Sequence, residues 1–194
     1  MIIANALSSL PTPILVLDEG RMLRNVGRLR RHLDALGVTI RPHLKTAKSV
    51  EAARRVLSGG RGPATVLTLK EAEIFAAAGV WGILYAVGIA PQKLPRVLAL
   101  PATGCDLTVV LDSPEQAKAV ALAPREAGDA IPVLTEIDSD GNRSGLRPDD
   151  PAIVTIGRIL PNHACATAAQ FDGYEVIPAD PAHPMAYWPR FRGW

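Results

Sequence analysis

Three groups of residues in this sequence are of types that could do chemistry, and their spacing narrows what that chemistry would be. The first is Lys45, which closes "TIRPHLK" (Thr39–Lys45) two residues after His43. A lysine at the end of a buried strand is either a solvated surface cation or an amine that condenses with a carbonyl to form a Schiff base. The second role needs burial to bring its pKa down from the usual ~10.4. Lys48 reads as a loop or helix-start charge that could also depress Lys45 by like-charge repulsion. His43 would share a strand face with Lys45 and offer packing or a hydrogen bond. The second group is "PNHACAT", in which His163 and Cys165 face the same way if the segment is extended. Imidazole and thiolate together favour zinc, yet two ligands do not close a structural site. A half-buried histidine near a buried cysteine in a β segment remains the plainer account. The third is "EIDSDGNRSG", where Asp138 and Arg143 bracket a turn containing Asp140–Gly141. An arginine held there could fix a phosphate, a carboxylate or a ring nitrogen, or simply pair with an aspartate of its own loop. Cys105 and His183 have no such company and read as structural, and His32 falls on the polar side of a helix.

The elements that must position these residues alternate regularly. "PILVLD" (Pro13–Asp18) reads as a short apolar strand, and the apolar spacing of "GRMLRNVGRLRRHLDALG" predicts a helix ending on Gly37. After "TIRPHLK" the pattern predicts a helix over 49–60, a strand over 63–68 and a helix from Leu69. A strand over 82–87, a helix led by Pro91, a strand over 106–112, a helix capped by Ser113 and a strand over 131–138 follow. Strand and helix in alternation, with short connections, mean parallel strands joined by crossover helices. A doubly wound sheet and a (β/α)8 barrel both satisfy that. No GxGxxG follows the first strand, which weakens the dinucleotide-binding version. In a barrel the site is built at strand C-terminal ends, where Lys45, Thr68, Asp112 and Asp138 stand. Beyond Asp138 a polar loop and one more helix, "PAIVTIGRIL", lead into strand-rich sequence of another kind. About five barrel-type strands are countable, three units short of a closed barrel.

Composition excludes several classes. With 194 residues, 48% hydrophobic and 21% charged, the chain is a globular one with a sizeable core, and a net charge of +2 gives no nucleic-acid face. No apolar run nears the ~20 residues of a membrane span, and "MIIANALSSL" lacks the basic start and apolar centre of a signal peptide. Two cysteines make no disulfide framework, so a cytoplasmic protein with reduced thiols is expected.

Taken together, "PTPILVLD", "RPHLKTAKS", "TLKEAEIFAAAG", "VVLDSPEQA", "EIDSDGNRSG" and "PNHACATAA" resemble the D-threonine aldolase / D-serine dehydratase-like family, in the same order and over nearly the whole chain. The resemblance implies the alanine-racemase fold, a barrel that binds pyridoxal 5′-phosphate followed by a β domain. It implies Lys45 as the catalytic Schiff-base lysine and base, with His43 and Arg143 beside the cofactor. It also implies a divalent metal, zinc in preference to manganese, on His163 and Cys165. The His-x-Cys form looks like the dehydratase branch. By the same resemblance, residues 1–38 hold a strand belonging to the β domain and a helix, residues 39–160 a partial barrel, and residues 161–194 a remnant of the β domain. The substrate would be a D-amino acid with a β-hydroxyl, and the assembly a homodimer.

The sequence departs from the family where "VTIGRIL" runs straight into "PNHACATAA". An internal deletion near Arg158–Pro161, removing the last barrel units and most of the phosphate grip, is the simplest account. Phe171 and Ala47 stand where relatives commonly have histidine. Three other readings stay in play: an inactive truncated remnant, a protein that binds the cofactor without turnover, and an amino-acid racemase.

Overall fold

A computed structural model describes Pro13, residues 15–123, 130–139, 141 and 144–159, and the strand pair 173–176 with 186–189. Six helices and six strands lie among them: α1 (Glu19–Ala35), α2 (Val50–Val56), β1 (Ala64–Val66), α3 (Leu69–Ala77), β2 (Ile83–Gly88), α4 (Leu94–Ala99), β3 (Leu107–Leu111), α5 (Pro114–Leu122), β4 (Val133–Thr135), α6 (Ala152–Ile159), β5 (Gly173–Val176) and β6 (Ala186–Pro189). β1 to β4 form a parallel sheet in sequential order, and β5 pairs with β6 antiparallel.

The helix starts follow from side-chain chemistry at the caps. Asp18, Ser49, Thr68 and Ser113 each accept the backbone N–H three residues on, satisfying a donor that the first turn leaves open. Pro114 then occupies the first turn of α5, where its missing N–H costs nothing.

The strand register separates two faces. Ala64, Ile83 and Leu107 lie in one row, and Val66, Tyr85, Val109 and Val133 in another. Apart from Val133, which packs against the core from its edge, these residues are buried in the main core with Phe75 of α3, Leu94 and Val97 of α4, Ala117 and Val120 of α5, and Ile156 of α6. Each of the larger aliphatic and Phe side chains contributes about 1.5–3 kcal/mol by leaving water, so the helix-covered face holds the unit together. Thr65, Leu84 and Thr108 form the intervening row on the opposite face.

Two expectations are corrected. Residues 15–18 form no strand, and Leu15 is fully exposed. No described strand lies beside this segment to pair with it, and an unpaired apolar stretch has no reason to stay extended. "TIRPHLK" contributes to the sheet only through His43, which bridges in parallel to Thr65. Pro42 lacks the N–H that a ladder needs, although its carbonyl accepts from Thr65 N–H at 2.9 Å. The sheet therefore has four full strands and one bridge rather than five strands. The expected first helix is present as α1, which buries none of its residues, with Leu23 and Leu29 about half exposed. It is tethered to α2 by polar contacts, Arg30 donating to the Val56 and Leu57 carbonyls and Arg55 pairing with Glu19.

Candidate active site

The segment 43–49 is a tight turn between the sheet and α2. Leu44, 2% exposed, is its apolar anchor, and its N–H donates to the Thr65 carbonyl at 2.9 Å. Lys48 N–H closes the turn on the Leu44 carbonyl at 3.1 Å, and Ser49 caps α2. Lys45 lies inside this turn, exposed, two residues past the bridging residue rather than at the end of a buried strand. The burial expected to depress its amine is not supplied by the described residues. Its backbone N–H donates to His43 Nδ1 at 3.2 Å, but no described residue forms a hydrogen bond or ion pair with its Nζ.

His43 shares its row with Thr65, on the sheet face away from the helices. Burial pushes its imidazole below the ordinary value, the Lys45 ammonium pushes the same way, and the Glu71 carboxylate opposes them. A neutral ring with Nδ1 accepting is the tautomer that this hydrogen bond requires.

Glu71 is the residue that sequence reasoning passed over. It is a buried carboxylate on α3, one oxygen accepting Leu67 N–H at 2.9 Å. Lys48 Nζ stands 3.2 Å from the other oxygen, which has no further partner; the contact is electrostatic rather than a well-aimed hydrogen bond. Burial alone would push the Glu71 carboxyl up, but Leu67 N–H and Lys48 together hold it below the usual carboxylate range. A signal for it was available. Thr68 followed three residues later by Glu71 is the spacing of a capping box, in which the acid folds back toward the strand end. The same device recurs between β3 and α5, where Gln116 Oε1 accepts Asp112 N–H at 2.8 Å and Ser113 caps α5. Lys48 is thus the partner of a buried acid, not the free like charge expected beside Lys45.

The neighbouring strand ends add carboxylates. A Cβ on Gly88 would lie 2.7 Å from Asp112 Oδ2, so glycine is what lets the ends of β2 and β3 approach. Asp138 is buried and accepts Gly141 N–H at 3.1 Å, three residues on. Glu136 Oε1 accepts from Ser144 at 3.3 Å, while its Oε2 is buried without a partner. Behind the Lys45 turn, a groove of about 530 Å³ is lined by Leu15, Leu17, Met22, Thr46, Ala47 and Ala52, among others. Cys105 is buried, and that burial, helped by Asp106, pushes its thiol up to about 11, which agrees with a structural role.

Lys45 and His43 are therefore brought together. Arg143, His163, Cys165 and His183 lie outside the described residues. Among the described residues no group of three or more histidine, cysteine or acidic side chains converges as a metal site.

Comparison with known proteins bears out the resemblance. Residues 17–173 match the model of the alanine racemase N-terminal domain. The D-threo-3-hydroxyaspartate dehydratase of Delftia sp. (strain HT23) is 49% identical over 157 residues, covering 80% of this chain and 41% of that protein. Its solved structure superposes with a TM-score of 0.74 over 79% of this chain and 41% of the other. The same enzyme has been solved with a histidine changed to alanine and, two positions along, with a cysteine changed to alanine in the metal-free form. A 3-hydroxy-D-aspartate aldolase of Paracoccus denitrificans is 30% identical over 179 residues, covering 91% of this chain and 45% of that protein. An alanine racemase-like protein from Idiomarina loihiensis is 44% identical with a TM-score of 0.75, over 79% of this chain and 41% of its own. This chain spans under half the length of these relatives. With four-fifths of its residues inside the matched domain, carried on sequentially ordered parallel strands, the chain belongs to the alanine racemase N-terminal domain family.

Proposed function

We propose that this chain carries the cofactor lysine of a pyridoxal-phosphate lyase acting on D-amino acids with a β-hydroxyl. The observation that carries the proposal is the exposed Lys45 amine beside a His43 ring that favours neutrality, in a chain whose named relatives act on such amino acids. The residues present fit covalent attachment of an aldehyde, because Lys45 Nζ is accessible and no described side chain engages it. Pyridoxal phosphate, when bound, supplies an electron sink for the electrons of a bond broken at the α-carbon of an amino acid. Lys45 Nζ is then the base that takes the α-proton. His43 holds the Lys45 backbone through its Nδ1 and, kept neutral, adds no second positive charge beside the amine.

His163 and Cys165 would hold a divalent metal, zinc by the softness of the thiolate, whose Lewis acidity would act on the β-hydroxyl. The donor set fits, and its one-residue spacing equals that of the two positions changed in the Delftia enzyme, one of which was solved metal-free. Arg143 would serve the cofactor from the loop after Asp138. We further propose a cytoplasmic homodimer. Among the described residues no helix is long and apolar enough to cross a membrane.

A second reading has its own support. The described residues leave the Lys45 amine accessible for attachment but do not bury it, which favours a chain that binds the cofactor without turnover, or fails to bind it. Absorption spectroscopy separates the readings. Adding pyridoxal phosphate to the purified chain should give a band of the attached cofactor that Lys45→Ala abolishes. D-serine or D-threonine should then yield pyruvate or glycine, and a chelator should stop it. A band without product means binding alone, and no band means an inactive remnant. Interconversion of alanine enantiomers indifferent to chelator would mean a racemase.

A further inference from the structure

The turn that presents Lys45 contains a second lysine, and the two are treated differently by their surroundings. Lys45 is exposed and unpaired among the described residues. Lys48 is tied at 3.2 Å to Glu71, whose side chain is 7% exposed, while its own is 61% exposed. Lys48 is also the one described non-glycine residue with positive φ, at 45°. A side chain with a Cβ occupies that region at a cost, so something must hold it there. Two contacts do: Lys48 N–H on the Leu44 carbonyl, and Nζ on Glu71. Glu71 is itself fixed to Leu67 at the end of β1, the strand to which His43 bridges. The carboxylate therefore reaches back from α3 and clamps the far side of the turn that carries Lys45.

We infer that Glu71 is the positioning residue of the Lys45 turn: it engages Lys48 as a spectator and so leaves Lys45 as the lysine of this turn that takes up an aldehyde cofactor. The inference rests on the role proposed for Lys45 above. Attachment joins a neutral amine to the aldehyde carbon: a C=N bond replaces the C=O bond, and the carbonyl oxygen leaves as water with the two protons of the amine. Lys48 could enter that reaction only by leaving the buried Glu71 carboxylate without its counter-ion, held by Leu67 N–H, which is costly. Lys45 gives up no such contact.

The test labels the full chain with pyridoxal phosphate, reduces the adduct with borohydride and maps it by peptide mass spectrometry. In the wild type the label should sit on Lys45. In Glu71→Gln the Lys48-to-Lys45 ratio should rise about tenfold, since a misaligned turn and a released competitor act in the same direction. An unchanged ratio overturns the inference. Label absent from Lys45 in the wild type overturns the underlying role of Lys45 instead, and the inference with it. Because Glu71 is buried, circular dichroism must show that its variant folds. Two variants of the exposed Lys48 decide the matter if it does not. Lys48→Arg, which keeps the ion pair, should label Lys45 as the wild type does. Lys48→Gln, which breaks it, should lower that labelling several-fold. Equal labelling in both variants overturns the positioning role.

Discussion

His43 and Lys45 show how much one turn does to two side chains. The ring accepts from the lysine's own backbone and senses its ammonium, so removing that charge has a definite sign. The His43 midpoint, followed by NMR, should lie below 6.5, rise in Lys45→Ala and fall further in Glu71→Gln, which removes the opposing carboxylate. Because the folded value lies below the unfolded one, this residue takes stability away as pH drops through about 6.5 and leaves it unchanged above that. Lys45 and His43 could be named from the sequence as candidates, but their spacing alone left a plain surface cation and a packing histidine, and only the resemblance to a family attached a cofactor to them. Glu71 was not among the candidates. Its role depends on a contact between α3 and a turn 23 positions earlier, which no periodicity encodes, although its capping-box spacing hinted at a fold back toward β1.

The elements were read well wherever a cap and a periodic apolar face coincide. Ser49, Thr68 and Ser113 start helices within a residue of where their side-chain chemistry places them. The failures share a cause: a strand needs neighbours, and sequence shows only the strand. Pro42 interrupts the ladder of one expected strand, and residues 15–18 have no described strand to pair with. Leu44 is where the surviving bridge is anchored in the core. Leu44→Ala should cost about 2–5 kcal/mol, measured by urea unfolding, and should loosen the Lys45 turn along with the fold. A change under about 0.5 kcal/mol, the size of an ordinary surface substitution, would mean the turn is held from elsewhere.

On the scale of the molecule, alternating strands and helices made the parallel sheet foreseeable, and the match over residues 17–173 agrees with it. How the sheet is completed was not foreseeable, since closure is a property of all strands at once. Exposed apolar residues on α1 and at Leu134 of β4 are what a partner surface would cover. Sedimentation velocity at micromolar concentration should give twice the chain mass, and a monomer there would overturn the homodimer.

The sequential strand order has one more consequence. Among the described strands, each of β1 to β4 pairs only with its neighbours in sequence, and a helix joins each pair. Such an arrangement is additive: a further strand and helix laid along β4 would disturb no pairing already made, and none of β1 to β3 would need to move.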